Sequence, residues 1–141
     1  MNQRDFFAAF GAPLANVRWS WGAVRESDGA VFLRVWRDNV LSHDGAMFVR
    51  VTNHSYTGHQ ALHGHRERLY HLDLIRRGAP CYLVFCVAEN PHAVPRTVRS
   101  FAIETVVPGG RVANIDGAWY IEMLSPVPTR DVMPVAGRGD A

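Results

Sequence analysis

Lysine is absent from this sequence, and all 15 basic residues are arginine, against 13 acidic residues. The formal net charge of +2 does not by itself indicate a class of partner. A GC-rich genome is one explanation for the missing lysine. The other is functional, because the planar guanidinium of arginine binds phosphates and base edges well.

Cysteines and long apolar runs are also scarce. Cys81 and Cys86 both lie in the longest apolar run, Cys81 to Ala88, which is far too short to cross a bilayer. Five positions apart in a strand, the two thiols would face opposite sides of a sheet, so we expect them to be reduced. The amino terminus carries no secretory signal pattern. These absences predict a cytoplasmic protein that makes no contact with a membrane.

Length and composition predict a single domain, 1–141. The hydrophobic fraction of 48% and the charged fraction of 20% are those of an ordinary folded chain. We assign an amino-terminal helix to residues 1–12, the body of the domain to residues 16–124, and a tail rich in proline and glycine to residues 125–141.

Hydrophobic periodicity predicts two helices, at Asn2–Phe10 and at Gly64–Arg77, the second with Leu69, Leu72 and Ile75 on its apolar face. Short links between the first three predicted strands favour an antiparallel meander. The fold class that follows is α+β, with a small, curved, mainly antiparallel β-barrel of about six strands flanked by two helices. The strand-like stretches are Val17–Trp21, Val31–Trp36, Ala46–Thr52, Pro80–Ala88 (the central strand), Ser100–Val107, Arg111–Ile115 and Ala118–Leu124.

Histidines crowd one segment of the chain, at His54, His59, His63, His65 and His71. No H-E-x-x-H pattern and no cysteine pair with ligand spacing accompanies them, so the sequence predicts neither a metal site nor a cofactor. Glu67 and His71 lie one helical turn apart and are able to form an acid–base pair. A small metal-dependent or acid–base enzyme centred on residues 59–71 therefore stays an alternative.

Other catalytic motifs are absent from the sequence. There is no G-x-S-x-G elbow, and both cysteines lie in apolar surroundings that make a thiol inert. Gly109 and Gly110 open no predicted helix, so they do not form a phosphate cradle. We therefore predict that the protein is not an enzyme.

Tryptophans in or beside predicted strands suggest that a flat ligand is bound. Trp19 and Trp21 would share one face of a strand, and Trp36 ends the next strand, immediately before an acidic and an amide side chain. Indole rings stack on a nucleobase while carboxylate and amide groups bind its polar edge. The predicted base pocket consists of Trp19, Trp21, Trp36, Asp38, Asn39 and Tyr56.

Four segments carry a further pattern: Asn16–Trp21 (NVRWSW), Val31–Trp36 (VFLRVW), His65–Leu69 (HRERL) and Leu74–Tyr82 (LIRRGAPCY). Together they resemble the reader domains fused to some HNH-type modification-dependent restriction endonucleases, which are similar to the SRA and EVE domains of the PUA-like superfamily. The resemblance spans roughly residues 16–122. It implies a compact, curved β-barrel flanked by helices.

The same resemblance implies a function, because SRA members flip a modified cytosine out of duplex DNA into an aromatic-lined pocket. It assigns no pocket residue by position. No HNH nuclease segment follows Glu122 in this sequence. The resemblance therefore implies a stand-alone reader or a severed module, with a separate nuclease or effector protein as a possible partner.

We therefore predict a protein that binds double-stranded DNA containing a modified cytosine and holds the flipped base in an aromatic pocket. An RNA or modified-RNA binding module is the alternative within the same superfamily. Arginines in exposed segments are expected to contact the phosphates. They are Arg66, Arg68, Arg96 and Arg99.

Overall fold

Two α-helices and nine β-strands make up the computed structural model, which describes residues 2–16, 19–52, 58–93 and 96–134. The helices are α1 (Gln3–Ala9) and α2 (Gly58–Arg76). The strands are β1 (Gly22–Val24), β2 (Val31–Trp36), β3 (Val40–His43), β4 (Ala46–Arg50), β5 (Cys81–Ala88), β6 (Val98–Phe101), β7 (Thr105–Ile115), β8 (Ala118–Met123) and β9 (Val127–Pro128). The α+β prediction is confirmed, with more strands than expected. The predicted tail beyond Pro134 lies outside the described residues.

Helix α1 begins where the sequence predicts, because the Asn2 side chain accepts a hydrogen bond from the Asp5 amide at 2.8 Å. Its buried face consists of Phe6 and Phe7, continued by Phe10 just past the last turn. The rings of Phe10 and Phe32 on β2 lie 4.5 Å apart. Burial of each ring stabilises the fold by about 1.5–3 kcal/mol, so α1 is firmly docked on one face of the sheet.

The sheet is mainly antiparallel and follows the order β1-β2-β5-β7-β8-β4-β3, with β6 beside β5 and β9 beside β7. The β2–β5 pair alone is parallel among the strand pairs of the described residues. Within the same residues β1 and β3 end the sheet and do not pair with each other. The predicted closed barrel is therefore not confirmed.

The predicted meander of the first three strands is wrong. β1 and β2 form one antiparallel pair, and the unpredicted β3 forms a second pair with β4. β2 then pairs with β5, and β4 with β8. A parallel pair needs a long connection, which here contains β3, β4 and α2. Strand β5 is central as predicted, since α1 covers one face of the β2–β5 pair and α2 covers the other.

The predicted turn at residues 108–110 lies inside β7. A Cβ atom at Gly109 would be only 2.8 Å from both Cys81 Sγ and Ile121 Cγ2, so β7 passes too close to its neighbours for a side chain. At this point β7 leaves β5 and begins to pair with β8. The glycines thus permit a close approach within a strand, which the turn interpretation did not consider.

Helix α2 buries an arginine where the sequence predicts a leucine. Arg68 is 3% exposed, whereas Leu69 is 40% exposed, and the predicted Leu72 and Ile75 are buried. Both choices fit a spacing of three to four residues, so periodicity alone did not separate them. The prediction that Arg68 lies in an exposed segment is therefore wrong.

Candidate functional site

The residues before β1 form a turn rather than the predicted strand. The Ser20 amide donates to the Asn16 carbonyl at 2.8 Å, and the Asn16 amide donates to Ser20 Oγ at 2.9 Å. Ser20, which lies between the two tryptophans in the sequence, is buried. Its burial breaks the alternation on which the strand prediction depends. The strand predicted at residues 17–21 is therefore wrong for residues 19–21, and Val17 and Arg18 lie outside the described residues.

The two tryptophans of this turn both contact helix α2. The Trp19 ring lies 5.4 Å from the His63 ring, at an interplanar angle of 32°. The Trp21 ring lies 5.7 Å from the guanidinium carbon of Arg68. Both indoles are partly buried, so neither is fully enclosed in the hydrophobic core.

A carboxylate of α2 binds the residue between the tryptophans. Ser20 Oγ donates to Glu67 Oε2 at 2.9 Å, and the Trp21 amide also hydrogen bonds to this carboxylate. The second oxygen, Glu67 Oε1, is buried and has no hydrogen-bond partner among the described residues. An unsatisfied buried acceptor costs about 1–3 kcal/mol, so a donor from a ligand would be stabilising here.

Burial raises the pKa of Glu67, while the hydrogen bonds from Ser20 and Trp21 and the charge of Arg68 act in the opposite direction. Burial, with a smaller contribution from Arg68, lowers the pKa of His71 to about 4, so its imidazole is neutral at pH 7. No hydrogen bond or ion pair joins Glu67 to His71 in the described part of the chain. The predicted acid–base pair is therefore not formed.

Arg68 joins the tryptophan turn to β2 and to the residue that follows β4. Its Nη1 donates to the Val51 carbonyl at 2.8 Å, and its Nη2 donates to the Trp21 carbonyl at 3.0 Å and the Arg34 carbonyl at 2.7 Å. A guanidinium carries five donors in a rigid fork, which explains why arginine is accepted at a buried position here. The predicted role of Arg68 as a phosphate contact is not compatible with this burial.

Trp36 and Asp38 lie apart from this site. Because side chains alternate along a strand, Trp36 shares the face of Phe32, which α1 covers, whereas α2 covers the other face. The Arg96 guanidinium lies 5.3 Å from the Trp36 ring centre and donates to both Asp38 oxygens, at 2.7 and 2.9 Å. The predicted pocket residues are thus divided between the two faces of the sheet.

The remaining predicted site residues differ in their contacts and exposure. Asn39 Oδ1 accepts a weak hydrogen bond of 3.4 Å from Arg50. Arg66 and Arg99 are exposed, as predicted, whereas the Arg96 side chain is only 20% exposed. Tyr56 lies outside the described residues, as do His54 and the side chain of His59.

We expect Asp38→Asn to lower the free energy of unfolding by about 0.5–1 kcal/mol, because it removes a two-point but partly exposed ion pair with Arg96. That pair holds the pKa of Asp38 below its usual range, so its contribution is present above pH 4 and is lost as the pH falls. Urea unfolding at pH 7 and pH 3 checks this. An equal loss at both pH values would contradict it.

Gly64 permits the close packing of the tryptophan turn on α2. A Cβ atom there would lie 2.6 Å from Trp21 Cε2 and 2.7 Å from the Trp19 carbonyl oxygen. We expect Gly64→Ala to destabilise the protein by about 1–3 kcal/mol, although alanine favours a helix by about 1 kcal/mol over glycine. Urea unfolding measures the change, and a gain in stability would show that the turn does not pack here.

Among the described residues, no group of three or more histidine, cysteine, aspartate or glutamate side chains is placed to hold a metal ion. Neither described helix is long and apolar enough to span a membrane. No protein-family model, no curated protein and no solved structure matches this chain. The resemblance to PUA-like readers therefore stays a prediction.

Proposed function

We propose that this protein binds nucleic acid that carries a modified base, with duplex DNA containing a modified cytosine as the leading ligand. The base enters beside Trp19, Trp21 and Glu67. The observation that carries this proposal is the buried Glu67 Oε1, which has no partner among the described residues although Oε2 is fixed by Ser20. Such an oxygen is ready to accept a hydrogen bond from a ligand.

The chemistry of the three side chains suits a flipped cytosine. Removing a base from the stack costs on the order of a few kcal/mol. Stacking on an indole returns about 1–3 kcal/mol for each base. The exocyclic amine of cytosine is a donor, and a carboxylate is its natural acceptor. In this proposal Glu67 takes the role that the sequence predicted for Asp38, whose oxygens are occupied by Arg96.

Phosphate contacts belong to the exposed arginines in this proposal. Arg66 precedes Glu67 on α2 and is exposed to solvent. In this proposal it contacts a phosphate of the bound duplex. Each phosphate contact to duplex DNA contributes about 0.9 to the slope of log affinity against log salt concentration. We therefore expect affinity to fall steeply with salt, and Arg66→Gln to reduce that slope by about one unit.

A PUA-like relation of the fold is part of the proposal. Strand β7 changes partner along its length, pairing in turn with β9, β5 and β8. One helix covers each face of the β2–β5 pair. Both features suit a curved reader domain, and a barrel closed by β1 and β3 is not needed for the pocket at α2.

A binding panel tests the proposed function. We expect the protein to bind a duplex with one 5-methylcytosine at least about tenfold more tightly than the same duplex without the methyl group, measured by fluorescence polarisation. Single-stranded DNA and RNA of the same sequence complete the panel. Preference for the RNA would favour the alternative module, and equal weak affinity for every member would contradict a modified-base reader. Arg130→Gln, an exposed arginine of the 3₁₀ turn after β9, is the control variant.

A further inference from the structure

An arginine between α1 and the sheet has no acidic partner among the described residues. The Arg34 side chain is partly buried on the α1 face of β2, and its Nη1 donates to Gln3 Oε1 at 3.1 Å. In the described part of the chain no carboxylate lies within ion-pair distance of this guanidinium. A buried cation is costly unless an anion and hydrogen-bond acceptors compensate it, and a neutral amide supplies only an acceptor.

The neighbours of Arg34 do not supply the missing negative charge. Burial lowers the pKa of Arg34, and the nearby Cys86 acts slightly in the opposite direction. Burial also raises the pKa of Cys86 to about 11, so its thiol is neutral at pH 7. The charge on Arg34 is therefore uncompensated by any described residue.

A groove of about 380 Å³ lies between the start of α1 and β6. Gln3, the hydrogen-bond partner of Arg34, is one of its walls. Arg99 on β6 is another, and it is exposed and makes no ion pair with a described residue. Ser100 adds a hydroxyl group, and Phe101 and Ile103 add apolar surface. Arg99 is thus the one guanidinium among the lining residues, and Arg34 lies one hydrogen bond behind the wall formed by Gln3. No described carboxylate lines the groove.

We propose that this groove binds a phosphate group, held by Arg99 at its rim and by Arg34 behind Gln3. Guanidinium groups match the oxygens of a phosphate in pairs, and the anion would compensate the charge on Arg34. The groove is on the α1 face of β2, whereas Glu67 belongs to α2 on the other face. The phosphate site is therefore independent of the proposed base pocket. The phosphate can belong to a nucleic-acid backbone or to a small phosphorylated molecule.

Inorganic phosphate tests the site directly. We expect phosphate to raise the melting temperature of the protein by about 3 °C or more over chloride at equal ionic strength, once its concentration is about ten times the dissociation constant. Arg99→Gln should abolish this rise, because it removes one of the two cations. Gln3→Glu should also abolish it while raising the melting temperature in chloride, because its carboxylate pairs with Arg34.

Two controls separate this site from other effects. Arg130→Gln and Glu67→Gln should keep the full response to phosphate, the second because the base pocket is on the other face. If phosphate stabilises the protein no more than chloride, or if Arg99→Gln and Gln3→Glu respond as the unaltered protein does, the site does not exist.

An unmodified duplex identifies the source of the phosphate. If the backbone occupies the groove, Arg99→Gln should weaken duplex binding and reduce the salt slope by about one unit. If Arg99→Gln leaves duplex affinity unchanged, while the rise in melting temperature with inorganic phosphate still depends on Arg99 and Gln3, the ligand is a small phosphorylated molecule. Both results support the phosphate site. If Arg99→Gln and Gln3→Glu both keep the full response to inorganic phosphate, the site is contradicted.

Discussion

Replacing Arg68 with methionine should lower the free energy of unfolding by about 3–5 kcal/mol. The side chain binds the carbonyls of Trp21, Arg34 and Val51, and each buried carbonyl left without a donor costs about 1–3 kcal/mol. Methionine fills the volume but donates no hydrogen bond. Urea unfolding followed by tryptophan fluorescence measures the loss.

The neighbouring arginine is a matched control for this prediction. Arg66 lies on the same helix and is exposed, so Arg66→Met should change stability by less than about 0.5 kcal/mol. Arg68→Lys should fall between the two, because a single ammonium group does not reach three carbonyls with the same geometry. Equal effects of Arg66→Met and Arg68→Met would show that the buried contacts of Arg68 do not hold the tryptophan turn.

Replacing Glu67 with glutamine should weaken binding to the modified duplex by about tenfold or more, which corresponds to about 1.4 kcal/mol. The amide keeps the shape of the side chain and still accepts from Ser20 Oγ, but it no longer offers a second acceptor oxygen. Folding should be preserved, so a loss of affinity reports on the site. Leu69→Ala, at an exposed position of the same helix, should leave affinity unchanged.

The same variant should change how stability depends on pH. Because burial raises the pKa of Glu67 above its value in the unfolded chain, the folded state holds the proton more tightly. The protonated form therefore stabilises the fold below the unfolded pKa, and this contribution is lost as the pH rises through the folded pKa. Glu67→Gln should remove this decrease in stability with rising pH. The variant should therefore be at least as stable at pH 7 as the unaltered protein. A clear destabilisation at pH 7 would contradict this.

Local signals in the sequence account for the elements that were predicted correctly. Strand β2 runs from Val31 to Trp36, as the period-two alternation of its side chains predicts. The Asn2 cap fixes the start of α1. Asp116 and Gly117 adopt the positive φ angles, 51° and 87°, that their hairpin turn requires. Each of these features depends on a few adjacent residues.

Long-range pairing explains most of what the sequence did not predict. The parallel pairing of β2 with β5 joins segments on either side of α2, and no local pattern specifies it. The alternation at Trp19 and Trp21 resembles a strand, but the buried Ser20 between them bonds to Glu67, 47 positions away. Glu67 was identified only as a possible partner of His71, because helical spacing shows neighbours on one helix and not contacts across the fold.

The most direct test of the account compares 5-methylcytosine with thymine, which differ only at the Watson–Crick edge that Glu67 would contact. Each base is placed opposite an abasic site in the same duplex, so that both leave the stack with similar ease. The unaltered protein should bind the 5-methylcytosine duplex at least about tenfold more tightly, and Glu67→Gln should bring the ratio close to one, because an amide can donate to the thymine oxygen. The same ratio in both proteins, or no preference in either, would contradict a base pocket at Glu67.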